Sequence, residues 1–342
     1  MTYKIFSSLL AGLFALSGVA ADPQQINQST TLDLAYTLAS TSQAVAQKAA
    51  PKKKGRKNQV KKKAPGNAKK QPSDEFQKFA IFANNSPQPE ATGAMVTTLP
   101  LKPARGEHVA YIGNTLLDRA RLFGHFETML HQRFAAEQLV VRNFSWSADE
   151  VDLMPRPANF GSIDQHLLYH KTDIIFAAFG FNESFSGSAA IPKFKQRLAT
   201  FLRHTRSRAY NGKSGPRIVL ISPTPNLNVE GVAAADRNNE RLAAYTRAMK
   251  EVAAMEKVGF VDVFSPGLPA GSTFNGVHLL EKGYNAFAGN LYRGVFRESP
   301  APLNETLRKG VIEKNRQYFR RYRPLNTFYY TGGRRGKYGY LD

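Results

Sequence analysis

Residues 108–116 read HVAYIGNTL, a mostly apolar run that ends in a glycine and two small polar residues. Such a run is typical of a buried strand followed by a turn. Four more runs rich in Val, Ile and Phe follow it, separated by longer amphipathic stretches. The predicted strands are His108–Gly113, Leu139–Phe144, Asp173–Phe179, Arg217–Ser222 and Gly259–Phe264, and the predicted helices are Leu116–Phe134, Phe194–Arg208, Asn238–Glu256 and Glu281–Phe296. This alternation predicts an α/β fold: a five-stranded parallel sheet between two layers of helices.

Polar clusters follow four of the five predicted strands. In open α/β sheets ligands bind beyond the carboxyl ends of the strands, so these clusters are the candidates for chemistry. They read Gly113-Asn114-Thr115-Leu116, Asn143 through Asp149, Gly180-Phe181-Asn182-Glu183-Ser184 and Asn275-Gly276-Val277-His278-Leu279. We expect them to meet at one edge of the sheet.

In order and content these clusters resemble the sequence blocks of the SGNH (GDSL-type) hydrolases, a family of esterases and lipases with a three-layer, flavodoxin-like fold. The resemblance covers roughly residues 106–298 and points to the divergent kind found in large exported bacterial proteins. It implies that Thr115 stands at the nucleophile, His278 at the general base, and Asn275 at the residue that orients the base. It also implies an oxyanion hole and substrate-binding group. This group consists of the backbone N–H groups of Thr115 and Ala148, together with Gly180 and Asn182 of the Gly-x-Asn block.

Three of these positions depart from the family pattern. Thr115 replaces a serine, and its extra methyl group restricts χ1 and crowds an acyl group. Asn275 replaces an aspartate, so an amide stands where a carboxylate would fix the imidazole tautomer. Ala148 replaces the oxyanion glycine, which is tolerable for a backbone N–H donor if the φ angle is negative.

Two functional hypotheses therefore stay open. The chain is either a slow or unusual esterase, acting on ester bonds such as carbohydrate O-acyl esters, or a catalytically silent glycan- or ester-binding module of a cell-envelope assembly. His278 could also serve only as a structural residue in its loop. One of Asp149, Glu150 and Glu183 could replace the lost acid by contacting His278.

Other candidate sites carry weaker signals. His166 and His170 lie four residues apart and could bind a metal, but no third ligand is evident, so we predict neither a metal nor a cofactor. Trp146 either lines the substrate cleft or packs in the core. The absence of cysteine excludes a disulfide framework and a cysteine nucleophile.

The formal net charge of +21 over 342 residues belongs to the ends of the chain. Residues 48–70 hold eleven Lys or Arg and no acid, and residues 306–342 hold ten against two acids. We predict a signal peptide at 1–21, a disordered basic linker at 22–77, an extended lead-in at 78–105, the SGNH-like domain at 106–298 and a basic aromatic extension at 299–342.

This organisation predicts an exported protein without a membrane span after signal cleavage. We expect the basic flanks to be disordered, and they could contact an anionic cell-surface polymer. We do not expect an exported chain to bind nucleic acid. In the C-terminal extension, cations alternate with aromatic residues. That pattern fits either a surface for stacking on bases or sugars, or a basic helix that packs on the domain.

Overall fold

The computed structural model describes residues 86–157, 160–231 and 233–323, and within them the chain forms a five-stranded sheet. Its strands are β1 (His108–Gly113), β2 (Val140–Asn143), β3 (Ile174–Ala178), β4 (Arg217–Ile221) and β5 (Gly259–Val261). All neighbours run parallel in the order β2-β1-β3-β4-β5, which is the flavodoxin-like order. The predicted α/β class is confirmed, and each predicted strand is present with ends that differ by up to three residues.

Helices cover both faces of this sheet. In chain order they are α1 (Thr115–Ala120), α2 (His125–Arg133), α3 (Ile163–Tyr169), α4 (Phe181–Ser184), α5 (Ile191–Arg206), α6 (Ala235–Met255), α7 (Glu281–Phe296) and α8 (Glu305–Tyr322), with a 3₁₀ turn at Ser188–Ala190. Alternation along β1 shows how the faces are divided. Val109 and Tyr111 pack in one apolar layer with residues of α2 and α7, while Ala110 and Ile112 pack in the other with residues of α5 and α6.

The prediction of one helix over Leu116–Phe134 is wrong, because the chain breaks between α1 and α2. Gly124 has a φ of 68° in the left-handed region, where helix cannot continue. A Cβ atom on this glycine would lie 3.2 Å from the side chains of both Val311 and Ile312 on α8. The break therefore makes room for a helix that comes much later in the sequence.

The expectation of a disordered C-terminal flank is also wrong over Glu305–Tyr322, where α8 packs against α2. The Glu127 carboxylate on α2 is buried and accepts hydrogen bonds from Lys314 and, at 2.7 Å, from Asn315 Nδ2. Burial alone would raise the pKa of Glu127, but the facing Lys314 ammonium and these hydrogen bonds lower it below its usual value. For the basic aromatic extension the sequence predicts either a stacking surface or a basic helix that packs on the domain. Over Glu305–Tyr322 the packed helix is present.

Several predictions concern residues outside the described ranges. The signal peptide (1–21), the basic linker (22–77) and the residues after 323 belong to this group, so the proposed domain boundaries stay predictions. Residues 86–105, within the expected lead-in, contain no regular helix or strand and pair with the domain through single contacts such as the backbone bridge of Ala91 with Arg208. Among the described residues, no helix has the length and apolarity needed to span a bilayer.

Candidate active site

Thr115 is the first residue of α1, immediately beyond the carboxyl end of β1. The turn depends on Gly113, whose φ is 121° and where a Cβ would lie 2.1 Å from the carbonyl oxygen of Ala178 on β3. Asn114 then caps the helix, because its Oδ1 accepts a hydrogen bond of 3.1 Å from the backbone N–H of Leu116. The half-buried hydroxyl of Thr115 is thereby held at the edge of the sheet.

The φ angle of Ala148 is +66°. The negative φ on which we expect alanine to be tolerated at this position is therefore not present. A residue with a Cβ in this region is strained by about 1–2 kcal/mol, which explains why glycine suits the position. The strained backbone nevertheless directs the N–H of Ala148 toward Thr115 Oγ1, at 3.3 Å. The preceding Ser147 anchors the loop by donating its hydroxyl to Asp118 Oδ2 at 2.6 Å. A backbone donor therefore faces the candidate nucleophile.

The Gly-x-Asn block follows β3. Gly180 has a φ of 91°, and a Cβ there would lie 2.6 Å from Met249 Sδ, so glycine is required for packing. Its N–H donates to Glu183 Oε2 at 2.8 Å, which leaves Gly180 without a backbone donor for substrate. Asn182 donates one Nδ2 hydrogen to the carbonyl oxygen of Asp149 at 3.0 Å. Because an amide nitrogen carries two hydrogens, Asn182 retains a second donor.

Asn275 contacts the His278 ring from the loop between β5 and α7. Its Oδ1 accepts hydrogen bonds from the backbone N–H groups of Val277 and His278, at 3.2 and 2.9 Å, which fixes the orientation of the amide. The Nδ2 group consequently lies 2.9 Å from His278 Nδ1 and donates to it. An imidazole that accepts at Nδ1 carries its proton on Nε2. A carboxylate at position 275 would favour the opposite tautomer.

The surroundings of His278 also keep its ring neutral. Burial lowers the pKa of His278 to about 4, and the positive charge of Arg119 lowers it in the same direction. The ring stacks on Phe274, with centroids 5.4 Å apart and planes inclined by 18°. The imidazole is therefore uncharged at neutral pH.

Thr115 and His278 line the same open pocket, of about 460 Å³ including its solvent-filled mouth. Within the described part of the chain, no hydrogen bond joins the Thr115 hydroxyl to the imidazole. Ala148 borders Thr115 on the side of β2, and Asn182 is tied to the residue after Ala148. Thr115 and His278 are thus brought to one pocket, Ala148 contacts Thr115 from outside the pocket lining, and Asn275 contacts the imidazole.

The acids proposed as substitutes for the lost aspartate do not contact His278. Asp149 forms two hydrogen bonds with Arg156, at 2.8 and 2.6 Å, and burial raises the pKa of Asp149 to about 6 against the effect of that arginine. Burial likewise raises the pKa of Glu183 to about 7, and both its oxygens accept backbone N–H groups. Glu150 lies 3.6 Å from Arg197. The hypothesis of a replacement acid is wrong for all three.

The remaining candidates have structural roles. The rings of His166 and His170 hydrogen-bond to backbone carbonyl groups at 2.8 and 3.2 Å, and no group of possible metal ligands occurs among the described residues. Trp146 packs against the guanidinium groups of Arg156 and Arg323, each 4.4 Å from its ring centroid, and it does not line the pocket.

Arg119 and Tyr284 line the pocket and were missed in the sequence. Arg119 comes four residues after Thr115, so both project from the same face of α1. That spacing was an available signal, but it was hidden because the stretch was assigned to one long amphipathic helix.

The comparisons with known proteins give one matching family and several similar solved structures. The model of the GDSL-like Lipase/Acylhydrolase family matches residues 110–286. Among solved structures, an acetylxylan esterase from Geobacillus stearothermophilus, studied as a catalytic mutant, is 19% identical over 59% of this chain and 100% of its own, with a TM-score of 0.47. A GDSL-like lipase from Parabacteroides merdae is 16% identical over 57% of this chain and 97% of its own, with a TM-score of 0.45. No curated protein matches the chain.

Proposed function

We propose that this chain, which belongs to the GDSL-like lipase/acylhydrolase family, is an exported hydrolase that cleaves O-acyl esters with Thr115 as nucleophile and His278 as base. The observation that carries the proposal is the hydrogen bond from the Ala148 N–H to Thr115 Oγ1, because Thr115 lines a pocket that His278 also lines. A hydroxyl, a backbone donor and a neutral imidazole at one strand edge are the components of acyl transfer.

The reaction would proceed in two balanced steps. Thr115 Oγ1 attacks the ester carbonyl carbon while His278 Nε2 accepts the hydroxyl proton, and the Ala148 N–H and the free Asn182 hydrogen stabilise the oxyanion. The intermediate releases the alcohol, which takes the proton back from His278. Water then attacks the acyl-Thr115 ester, with His278 again accepting and returning a proton, and the carboxylic acid leaves.

The contact of Asn275 with His278 predicts a slow first step. Because Nδ2 of Asn275 donates to Nδ1, the resting tautomer has its proton on Nε2 and cannot accept another there. In the reactive tautomer the proton is on Nδ1, which donates to Asn275 Oδ1 at 3.2 Å, and Nε2 is free to accept the hydroxyl proton. In serine-protease triads, the change from aspartate to asparagine lowers kcat about 10⁴-fold.

The same contact favours a second candidate function, a silent module that binds glycans or esters without cleaving them. In that case the Nε2–H of His278 would act as a hydrogen-bond donor to the ligand. Carbohydrate O-acyl esters are the substrate or ligand class that we propose in both cases, since the predicted export places the chain among envelope glycans. The basic segment 48–70 would contact an anionic polymer there.

Hydrolysis of 4-nitrophenyl acetate, combined with mass spectrometry after fluorophosphonate labelling, tests the proposal. We expect slow turnover and a label on Thr115, both lost in Thr115→Val and His278→Gln. The exposed Thr200 on α5 provides the matched control, and Thr200→Val should behave as the wild type.

A second variant separates the two candidate functions. If the wild type is inactive and the double variant Thr115→Ser, Asn275→Asp hydrolyses the ester, the silent module is supported. If neither protein is active or labelled, the pocket does not perform acyl transfer and the proposed hydrolase function is refuted.

A further inference from the structure

Arg119 is a buried cation in the candidate active site. Its side chain lies on α1 with 9% of the residue exposed, and it lines the pocket together with Thr115 and His278. Its Nε is buried without a hydrogen-bond partner. The guanidinium contacts the hydroxyl of Tyr284 and lies 5.6 Å from the ring centroid of Phe274. Both neighbours are neutral.

No acid compensates this charge among residues 86–157, 160–231 and 233–323, where no carboxylate forms an ion pair with Arg119. The adjacent Asp118 is engaged by other groups: Arg323 at 3.1 Å, Arg121 at 3.6 Å and the Ser147 hydroxyl at 2.6 Å. These three contacts leave Asp118 without an ion pair to Arg119.

A second acid near the pocket is also engaged. Glu281, at the start of α7, lies 2.9 Å from Arg308 on α8. Burying a charged group without a partner costs several kcal/mol, so such groups in folded proteins are nearly always paired. The missing partner of Arg119 is therefore expected to come from outside the chain.

We infer that the pocket binds a carboxylate against Arg119, so that the preferred ligand is an ester bearing a free carboxylate close to the acyl group that Thr115 attacks. This inference deepens the proposed function and rests on it for the position of the ester. A guanidinium offers paired N–H donors in a planar fork that matches the two oxygens of a carboxylate. The exposed mouth of the pocket gives the ligand access.

Binding of the carboxylate has a consequence for His278. The positive charge of Arg119 contributes to the low pKa of that ring. A bound anion offsets this charge, so the contribution of Arg119 to the low pKa of His278 becomes smaller when the site is filled, while the contribution of burial remains. The NMR signals of the His278 ring can therefore show whether a carboxylate is bound at Arg119, without a substitution at Arg119.

Binding can be measured with monomethyl succinate and with methyl butyrate, which differ by a carboxylate in place of a methyl group. Full-chain protein with Thr115→Val is used in the calorimetric titrations so that the esters are not consumed. We expect monomethyl succinate to bind about 10–100-fold more tightly, the range for a charge-assisted hydrogen bond. Arg119→Gln should abolish this preference and Arg119→Lys should retain part of it. Arg293→Gln, at an arginine on α7 that contacts Asn290, should leave it unchanged.

The Thr115→Val protein, in which Arg119 is intact and the esters are not consumed, provides a second test that needs no variant at Arg119. In NMR spectra recorded at pH 7, where the ligand is a carboxylate, and assigned with His278→Gln, monomethyl succinate should shift the His278 ring signals further than methyl butyrate does. Equal binding of the two esters, a preference that survives Arg119→Gln, or His278 signals that ignore the carboxylate would each overturn the inference.

Turnover is measured separately, as kcat/KM of the wild type for the 4-nitrophenyl monoester of succinic acid and for 4-nitrophenyl butyrate. If neither is hydrolysed, the hydrolase function fails, while the binding preference still decides whether Arg119 holds a carboxylate. If both are hydrolysed at equal rates and binding shows no preference, the hydrolase function stands and the carboxylate inference fails.

Discussion

The left-handed backbone of Ala148 predicts that replacement by glycine stabilises the protein. At a φ of +66°, the alanine Cβ costs about 1–2 kcal/mol, and glycine removes that strain. Glycine also adds about 0.4–1 kcal/mol of conformational entropy to the unfolded chain, which works in the opposite direction. Ala148 is exposed, so its methyl group contributes little packing. The net gain is therefore at most about 1.6 kcal/mol and is centred near about 0.8 kcal/mol, which corresponds to about 2–3 °C in Tm for a domain of this size.

Urea unfolding followed by circular dichroism measures the change, and a second alanine supplies the control. Ala244 lies inside α6 in helical geometry, so Ala244→Gly should lower the free energy of unfolding by about 1 kcal/mol. The same chemical change is thus expected to have opposite signs at the two positions. A loss of stability in Ala148→Gly comparable with that in Ala244→Gly would refute the assignment of strain to this loop.

Three further predictions concern the site and its supports. Because burial and Arg119 lower the pKa of His278 to about 4, kcat/KM should stay flat from pH 8 to about 5 and fall only as the ring becomes protonated at lower pH. Arg119→Gln should move this fall to higher pH. A fall near pH 6.5 in the wild type would contradict the lowered pKa of His278. Gly113→Ala should prevent normal folding, seen as loss of the cooperative thermal transition, since its Cβ would lie 2.1 Å from a carbonyl oxygen of the neighbouring strand. Glu127→Gln should lower the free energy of unfolding by about 3–5 kcal/mol at pH 7, because it leaves Lys314 without its buried partner. Since the pKa of Glu127 is lowered in the folded state, the stability difference between the variant and the wild type should shrink as the pH falls through that pKa. A difference that does not depend on pH would count against the ion pair.

The fold was largely accessible from the sequence because periodicity and strand composition are local signals. Each predicted strand is present, and the last helix, predicted near Glu281–Phe296, is present as α7. The prediction over Leu116–Phe134 is wrong because α1 ends at Ala120 and the chain turns before Gly124, which packs against Val311 and Ile312, nearly two hundred residues away. A contact of that kind leaves no pattern in the local sequence.

The site was accessible only as a set of positions. The blocks placed Thr115 and His278 at the correct strand ends, and both line one pocket. The φ of Ala148 could not be read from its residue type, because alanine normally avoids the left-handed region. The tautomer of His278 depends on which atom of the Asn275 amide faces the ring, and the turn that fixes it forms only in the folded loop.

The ion pair between Asp118 and Arg323 has a consequence for the order in which the molecule is completed during synthesis. The two residues lie 205 positions apart in sequence, and the carboxylate belongs to the same short helix as Thr115. When α1 leaves the ribosome, Asp118 has only its neighbour Arg121 as a cationic partner. At a synthesis rate of about 5–20 residues per second, Arg323 follows after roughly ten to forty seconds. The helix that carries the candidate nucleophile therefore reaches its final environment among the last parts of the domain.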